Sequence, residues 1–148
     1  MFDFIHVRFL SGCIEDWPKF YREAFRCCKP SGWIEHQEPS LLWHLEGQEV
    51  PDDSAMGQWG KVFHEGGRKS GRTFTLVDEN LQQKYIQEAG FVDITVKDIK
   101  CPFGAWSQDK KQKELGVSAR LALEADIEGA FTPPSGAYYG VLANPAVG

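Results

Sequence analysis

FYREAFRCCKPSGWIEHQE, residues 20–38, changes its period in the middle. Up to Lys29 the apolar residues recur at helical spacing, and from Trp33 the chain alternates as a strand does. Lys29-Pro30-Ser31-Gly32 lies between them. Proline cannot continue a helix, and glycine permits a sharp exit. Working back, Trp17, Phe20, Tyr21, Ala24, Phe25 and Cys28 form one apolar stripe. Asp16 is placed to cap the helix and Pro18 falls in its first turn. Ahead of it, FDFIHVRFL (residues 2–10) alternates apolar and polar side chains and reads as a strand. Strand, helix and strand with short joints predict a parallel crossover unit.

Working forward, HLEGQEVPDD reads as a polar loop. A helix is expected from Ser54, its N-cap, failing at Gly66-Gly67. A second helix is expected after Asp78 as cap, with Leu81, Tyr85 and Ile86 on its apolar stripe and Gly90 at its stop. FVDITVKDIKCPF predicts a third strand, and SQDKKQKELGVSARLALEADIEGAF a last helix. The Pro- and Gly-rich stretch from 132 to 148 has no periodicity and is expected to be poorly ordered, with AYYGVLA as a weak strand candidate.

The chain has 148 residues, 42% hydrophobic and 25% charged, with a formal net charge of −5. That suits one domain with a real core and argues against nucleic acid or an anionic membrane as partner. No apolar run is long enough to span a bilayer, and no basic segment precedes the apolar N-terminus, so an intracellular protein, cytoplasmic or nuclear, is expected. The four cysteines (13, 27, 28 and 101) form no C-x-x-C pair. They read as reduced thiols rather than zinc ligands or disulfides. HEGGR lacks the second histidine of a zinc helix, so no metal is expected. GGRKSG follows a helix rather than a strand, which is the wrong setting for a nucleotide-binding loop.

Four pieces in order carry a resemblance: DFIHVRFL; DWPKFYREAFRCCKPSGWIEHQE; DDSAMGQWGKVFHEGGRKSGRTF; and YIQEAGFVDITVKDIKCPFGAWSQDKKQKELG. Together they resemble the second half of a class I S-adenosylmethionine-dependent methyltransferase, and most closely the fungal LaeA-like group. The resemblance implies an α/β fold: a partial Rossmann-like sheet with strands equivalent to the fourth, fifth and sixth of the family, and flanking helices. It assigns residues 1–116 to that half-domain and 117–131 to a terminal helix region. It also implies a seventh strand inserted between the fifth and sixth. The family's usual K-P-G-G turn appears here as K-P-S-G. The glycine-rich cofactor turn and ribose-binding acid of the family's first half have no counterpart, so a truncated chain that binds the cofactor weakly is expected.

By the same resemblance the function is methyl transfer from S-adenosylmethionine to a small molecule or protein in fungal secondary metabolism. The end of the first strand then lies beside the cofactor's methionine moiety and the substrate. His6 becomes a polar contact or general base and Arg8 an anchor for an anionic group. Glu35 and Gln37 belong to the substrate side. Trp59, with Trp43, Phe63 and Trp106, is a candidate wall of an apolar pocket. Each has a structural alternative: His6 as a hydrogen-bonded core residue, Arg8 as an ion-pair partner, and the aromatics as plain core. A second reading of the whole chain is a non-catalytic module. It would bind another copy or a partner protein through the exposed edge of FDFIHVRFL, which carries few of the charges that protect natural edges.

Overall fold

The structure, a computed structural model, describes residues 1–125 and 137–145. Its elements are β1 (Phe2–Arg8), α1 (Trp17–Cys27), β2 (Cys28–Pro39), α2 (Ala55–Ser70), α3 (Leu81–Glu88), β3 (Phe91–Lys100), α4 (Lys110–Ala125) and β4 (Ala137–Pro145). They build one sheet in the order β1-β2-β4-β3. The expected crossover is present: β1 and β2 pair in parallel, from Phe4 against Trp33 to Arg8 against Gln37. β4 runs antiparallel to both β2 and β3.

That strand corrects the expectation of a poorly ordered tail. Ala137–Pro145 contains the weak candidate AYYGVLA and lies between β2 and β3, the position the resemblance assigns to a seventh strand. What the composition hid is supplied by two long-range partners at once. The expectations for residues 126–136 and 146–148 lie outside the described residues.

α1 forms as its pattern dictates. Asp16 accepts from the Lys19 amide at 2.8 Å, Pro18 sits in the first turn, and Trp17, Tyr21 and Ala24 are buried. They meet Val7, Ile34, Leu76, Ile86 and Phe91 in one core. Phe25 meets Phe91 edge to face at 5.1 Å. The core therefore lies on one face of the sheet, under α1 and α3.

The Lys-Pro-Ser-Gly turn is a bulge at the start of β2. Phe2 pairs with Cys28 while Phe4 already pairs with Trp33, so residues 29–32 loop out. The left-handed backbone falls on Ser31 (φ 64°) and not on Gly32. Gly32 is required for a different reason. A β-carbon there would stand 2.8 Å from Cys28 Sγ, 2.9 Å from the Lys29 carbonyl and 3.0 Å from the Asp3 carbonyl.

Two helix boundaries differ from expectation. α2 starts at the Ser54 cap but runs through Gly66-Gly67 to a left-handed Gly71. Gly67 is buried against the Arg72 carbonyl and the Phe74 ring, so close packing of the following loop, rather than helix termination, selects glycine. α3 is preceded by Asn80, in left-handed conformation and without a side-chain cap, and not by Asp78, whose carboxylate is engaged elsewhere. α4 continues through Gly116, which packs against the Gly104 backbone. Among the described residues no helix is long and apolar enough to cross a membrane.

Candidate functional site

Alternation along β2 sends its polar residues to opposite faces. Ile34, His36 and Glu38 turn toward α1 and are buried; Glu35 and Gln37 turn away. β1 does the same, with Val7 buried and Phe4, His6 and Arg8 exposed. The register then sets His6 opposite Glu35 and Arg8 opposite Gln37.

On the face away from α1 these residues make a short polar chain. Gln37 Nε2 donates to Glu35 Oε1 at 3.0 Å, and Glu35 Oε2 lies 2.8 Å from His6 Nδ1. The His6 and Glu35 side chains are 41% and 31% exposed. The carboxylate fixes the imidazole's orientation and leaves Nε2 as the outward nitrogen. Phe4 stacks against the His6 ring at 6.3 Å. Arg8 lies 5.1 Å over the Phe9 ring and has no carboxylate partner among the described residues. The structure thus brings together His6, Arg8, Glu35 and Gln37. Trp59 is not among them: it sits on α2 in a row with Phe63 (5.2 Å) and Phe74 (Phe63 to Phe74, 5.6 Å). Trp43 pairs with Phe103 at 4.8 Å, and Trp106 is exposed.

The opposite face holds a network that the sequence reading left unassigned. Glu38 is fully buried and accepts from the Leu10 amide (2.6 Å), the Ser11 amide (3.2 Å) and the Ser11 hydroxyl (2.9 Å). His36 Nε2 lies 2.9 Å from the same carboxylate, and His36 Nδ1 meets the Tyr21 hydroxyl. Trp17 stacks on the His36 ring at 5.1 Å. Burial, reinforced by the Glu38 charge, pushes the Tyr21 phenol well above its usual range. The end of β2 is paired on both sides, and the Glu38 carboxylate clamps the loop that follows β1.

That loop leads to a third feature. The Gly12 amide donates to the Thr73 carbonyl at 3.0 Å, and Arg72 donates to the Cys13 carbonyl at 2.7 Å and pairs with Glu15 at 2.8 Å. Residues 72–75 then form one wall of a concavity of about 500 Å³, whose other wall is α2 through Lys61, His64 and Arg68. Among the described residues no cluster of histidine, cysteine and acidic side chains could hold a metal ion.

Comparison with known proteins places this geometry. The family model described as a methyltransferase domain matches residues 1–96. Methyltransferase pytC of Aspergillus terreus is 37% identical over 131 residues, covering 88% of this chain and 40% of that protein. The secondary metabolism regulator LAE1 of Cochliobolus heterostrophus is 30% identical over 139 residues, covering 93% of this chain and 45% of that one. The chain therefore spans less than half the length of these curated relatives. Among solved structures, phosphoethanolamine N-methyltransferase 2 of Haemonchus contortus, in complexes with S-adenosylhomocysteine and with S-adenosyl-L-methionine, superposes with a TM-score of 0.55 at 15% identity. The superposition covers 99% of this chain and 34% of that one. This last likeness is one of fold, and it agrees with the sheet described above. The match over residues 1–96 makes the chain a member of the methyltransferase-domain family.

Proposed function

We propose that the chain takes part in methyl transfer from S-adenosylmethionine to a small-molecule or protein acceptor of fungal secondary metabolism. The observation that carries this is the Gln37–Glu35–His6 chain, with Arg8 beside it, on the exposed face of the two parallel strands. In an open α/β sheet ligands gather outside the carboxyl ends of parallel strands. The cofactor, when bound, supplies an electrophilic methyl group on a sulfonium.

The residues present fit the amino-acid end of that cofactor. Arg8 is a guanidinium free of ion pairs among the described residues and suits a carboxylate; Glu35 and Gln37 offer acceptors to an ammonium. The backbone amides of residues 9–13 do not contribute, because those of Phe9, Leu10, Ser11, Gly12 and Cys13 are all spent inside the protein. Glu38 is likewise consumed. His6, oriented by Glu35, is the polar catalytic contact, and its work is placement of the reacting groups. Four unpaired cysteines accord with an intracellular setting, cytoplasmic or nuclear.

The test is transfer of labelled methyl from S-adenosylmethionine into a panel of hydroxyl- and amine-bearing acceptors. His6→Gln is expected to lower the rate about a hundredfold, the scale for one positioned polar group. Undiminished transfer in that variant would remove His6 from the reaction.

A second reading has its own observation. β1 ends the sheet, and Phe2 and Phe4 on it are 61% and 52% exposed. Unpaired, apolar strand edges recruit another strand. Light scattering across a concentration series is expected to show association that Phe4→Lys reduces; a concentration-independent monomer would contradict it.

A further inference from the structure

A third histidine–carboxylate pair lies outside the sheet, and the proposed chemistry has not used it. His64 Nε2, on α2, stands 3.2 Å from Asp78 Oδ2, in the turn before α3. Both atoms are out of contact with solvent and neither makes a hydrogen bond, so the pair is held at ion-pair distance alone. The other oxygen of Asp78 accepts from the Ser40 hydroxyl at 2.7 Å, and Ser40 in turn is fixed by the Leu42 amide at 3.0 Å. The carboxylate is thus held from behind, and its other oxygen stands within ion-pair distance of the imidazole. The ring's second nitrogen, Nδ1, is the one away from Asp78, and the ring lines the concavity of about 500 Å³. That volume suits a small organic molecule.

The concavity is anchored at the ligand end of the sheet from both strands. Gly12, after β1, bonds Thr73 in its wall, and Ser40, directly after β2, holds the Asp78 that faces His64. Lys61 and Arg68 flank His64 one helical turn to either side, so the three share a helix face. Lys61 is paired with Asp52 and Arg72 with Glu15, whereas Arg68 has no carboxylate within ion-pair distance among the described residues. Glu65 and Glu79 also line the concavity, and Phe74 gives it an aromatic wall.

We propose that this concavity is the acceptor pocket, that it takes a hydroxylated aromatic molecule, and that His64 is the base that removes the hydroxyl proton. The electron pair of the imidazole Nδ1 takes the proton. The acceptor's O–H bond breaks and its electrons stay on oxygen. A neutral phenol and a neutral imidazole become a phenolate and an imidazolium. Asp78 stabilises the imidazolium, and Arg68, one turn along the same helix face, stabilises the oxyanion. Asp78 is a positioning residue in this scheme, and Ser40 positions Asp78. The proposal rests on the methyl-transfer reading, which makes the phenolate a nucleophile for a methyl sulfonium, but the proton step stands without the cofactor.

The experiment exploits that independence. The full chain, without cofactor, is titrated with 4-nitrophenol at a pH where the free probe is mostly protonated. Affinity is read by equilibrium dialysis and ionisation of the bound probe by its phenolate absorbance. The wild type is expected to bind saturably and to hold the probe largely as phenolate. His64→Gln keeps a polar neighbour for Asp78 and is expected to bind the probe without ionising it. Asp78→Asn is expected to lose the phenolate signal while retaining binding, which a merely structural role would not produce. Arg68→Ala, an exposed site without an ion pair, guards against misfolding in the other variants and is expected to weaken binding about tenfold. A wild type that does not bind the probe, a bound probe that stays protonated, or an affinity untouched by Arg68→Ala overturns the proposal. Failure here with ligand shifts at His6 in a separate S-adenosylhomocysteine titration would sink the pocket alone. Success here without such shifts would sink the donor-side reading instead.

Discussion

His36–Glu38 and His6–Glu35 are nearly the same contact in length, 2.9 Å and 2.8 Å, and in residue types, the first within β2 and the second joining β1 to β2. One is sealed, with both side chains at 0% exposure; the other stands 41% and 31% open. The alternation of β2 puts them on opposite faces of the sheet. The sealed pair is spent on structure: its carboxylate accepts from two amides and a hydroxyl of the loop after β1, and its imidazole is stacked and doubly bonded. The open pair has an imidazole nitrogen and a neighbouring guanidinium left over. The difference teaches that separation alone does not mark a site; unspent hydrogen-bonding capacity does.

The sharpest way to break that contrast is to remove the sealed carboxylate. Glu38→Ala orphans the Leu10 and Ser11 amides and the His36 imidazole in the interior, and is expected to cost about 3–5 kcal/mol in chemical denaturation. A loss below 1 kcal/mol would mean the network is not structural (the scale of an exposed pair).

Tyr21 offers a pH test of the same seal. Its folded phenol is held above the unfolded value of 10.0 by burial and by Glu38, so the folded state retains a proton that the unfolded chain gives up. Stability is therefore full below about pH 10 and falls as pH rises beyond it. Tyr21→Phe, costing about 1–3 kcal/mol near neutrality through the orphaned His36 nitrogen, should flatten that fall. An alkaline profile unchanged by the substitution would contradict it.

The bulge that starts β2 separates two neighbouring residues by mechanism. Gly32→Val meets backbone oxygens of residues 29 and 3 and is expected to cost about 1–3 kcal/mol. Ser31→Gly relieves a left-handed side chain and should stabilise by up to about 1 kcal/mol. Opposite signs at adjacent positions in a thermal melt are the signature; destabilisation by both would place the strain elsewhere. On the open face the smallest effect is expected. His6→Gln should change stability by less than about 0.5 kcal/mol, because a half-exposed pair contributes little.

The sequence made α1 legible because its cap, its proline and its buried stripe are all local. β1 and β2 were legible for the same reason, and their pairing register then delivered His6 to Glu35 and Arg8 to Gln37. What stayed hidden is non-local. β4 takes its order from β2 and β3 together, which Pro- and Gly-rich composition does not announce. Glu38 finds its partners in the loop after β1, and His36 finds Tyr21 on α1. His64, inside α2, meets Asp78 of the turn before α3, and that helix runs on through Gly66-Gly67, which was read as a stop although Gly67 serves close packing of the next loop. Trp59, expected as a wall of an apolar pocket, lies in an aromatic row with Phe63 and Phe74.

The central claim is that the open face of β1 and β2 meets the cofactor and the sealed face does not. Titration of the isotope-labelled chain with S-adenosylhomocysteine, followed by the histidine ring and backbone amide resonances, tests it most directly. Shifts are expected at His6, Arg8, Glu35 and Gln37, with His36 and Tyr21 unmoved up to saturating ligand. No shift on the open face, or shifts led by His36 and the Leu10–Ser11 loop, would contradict the account.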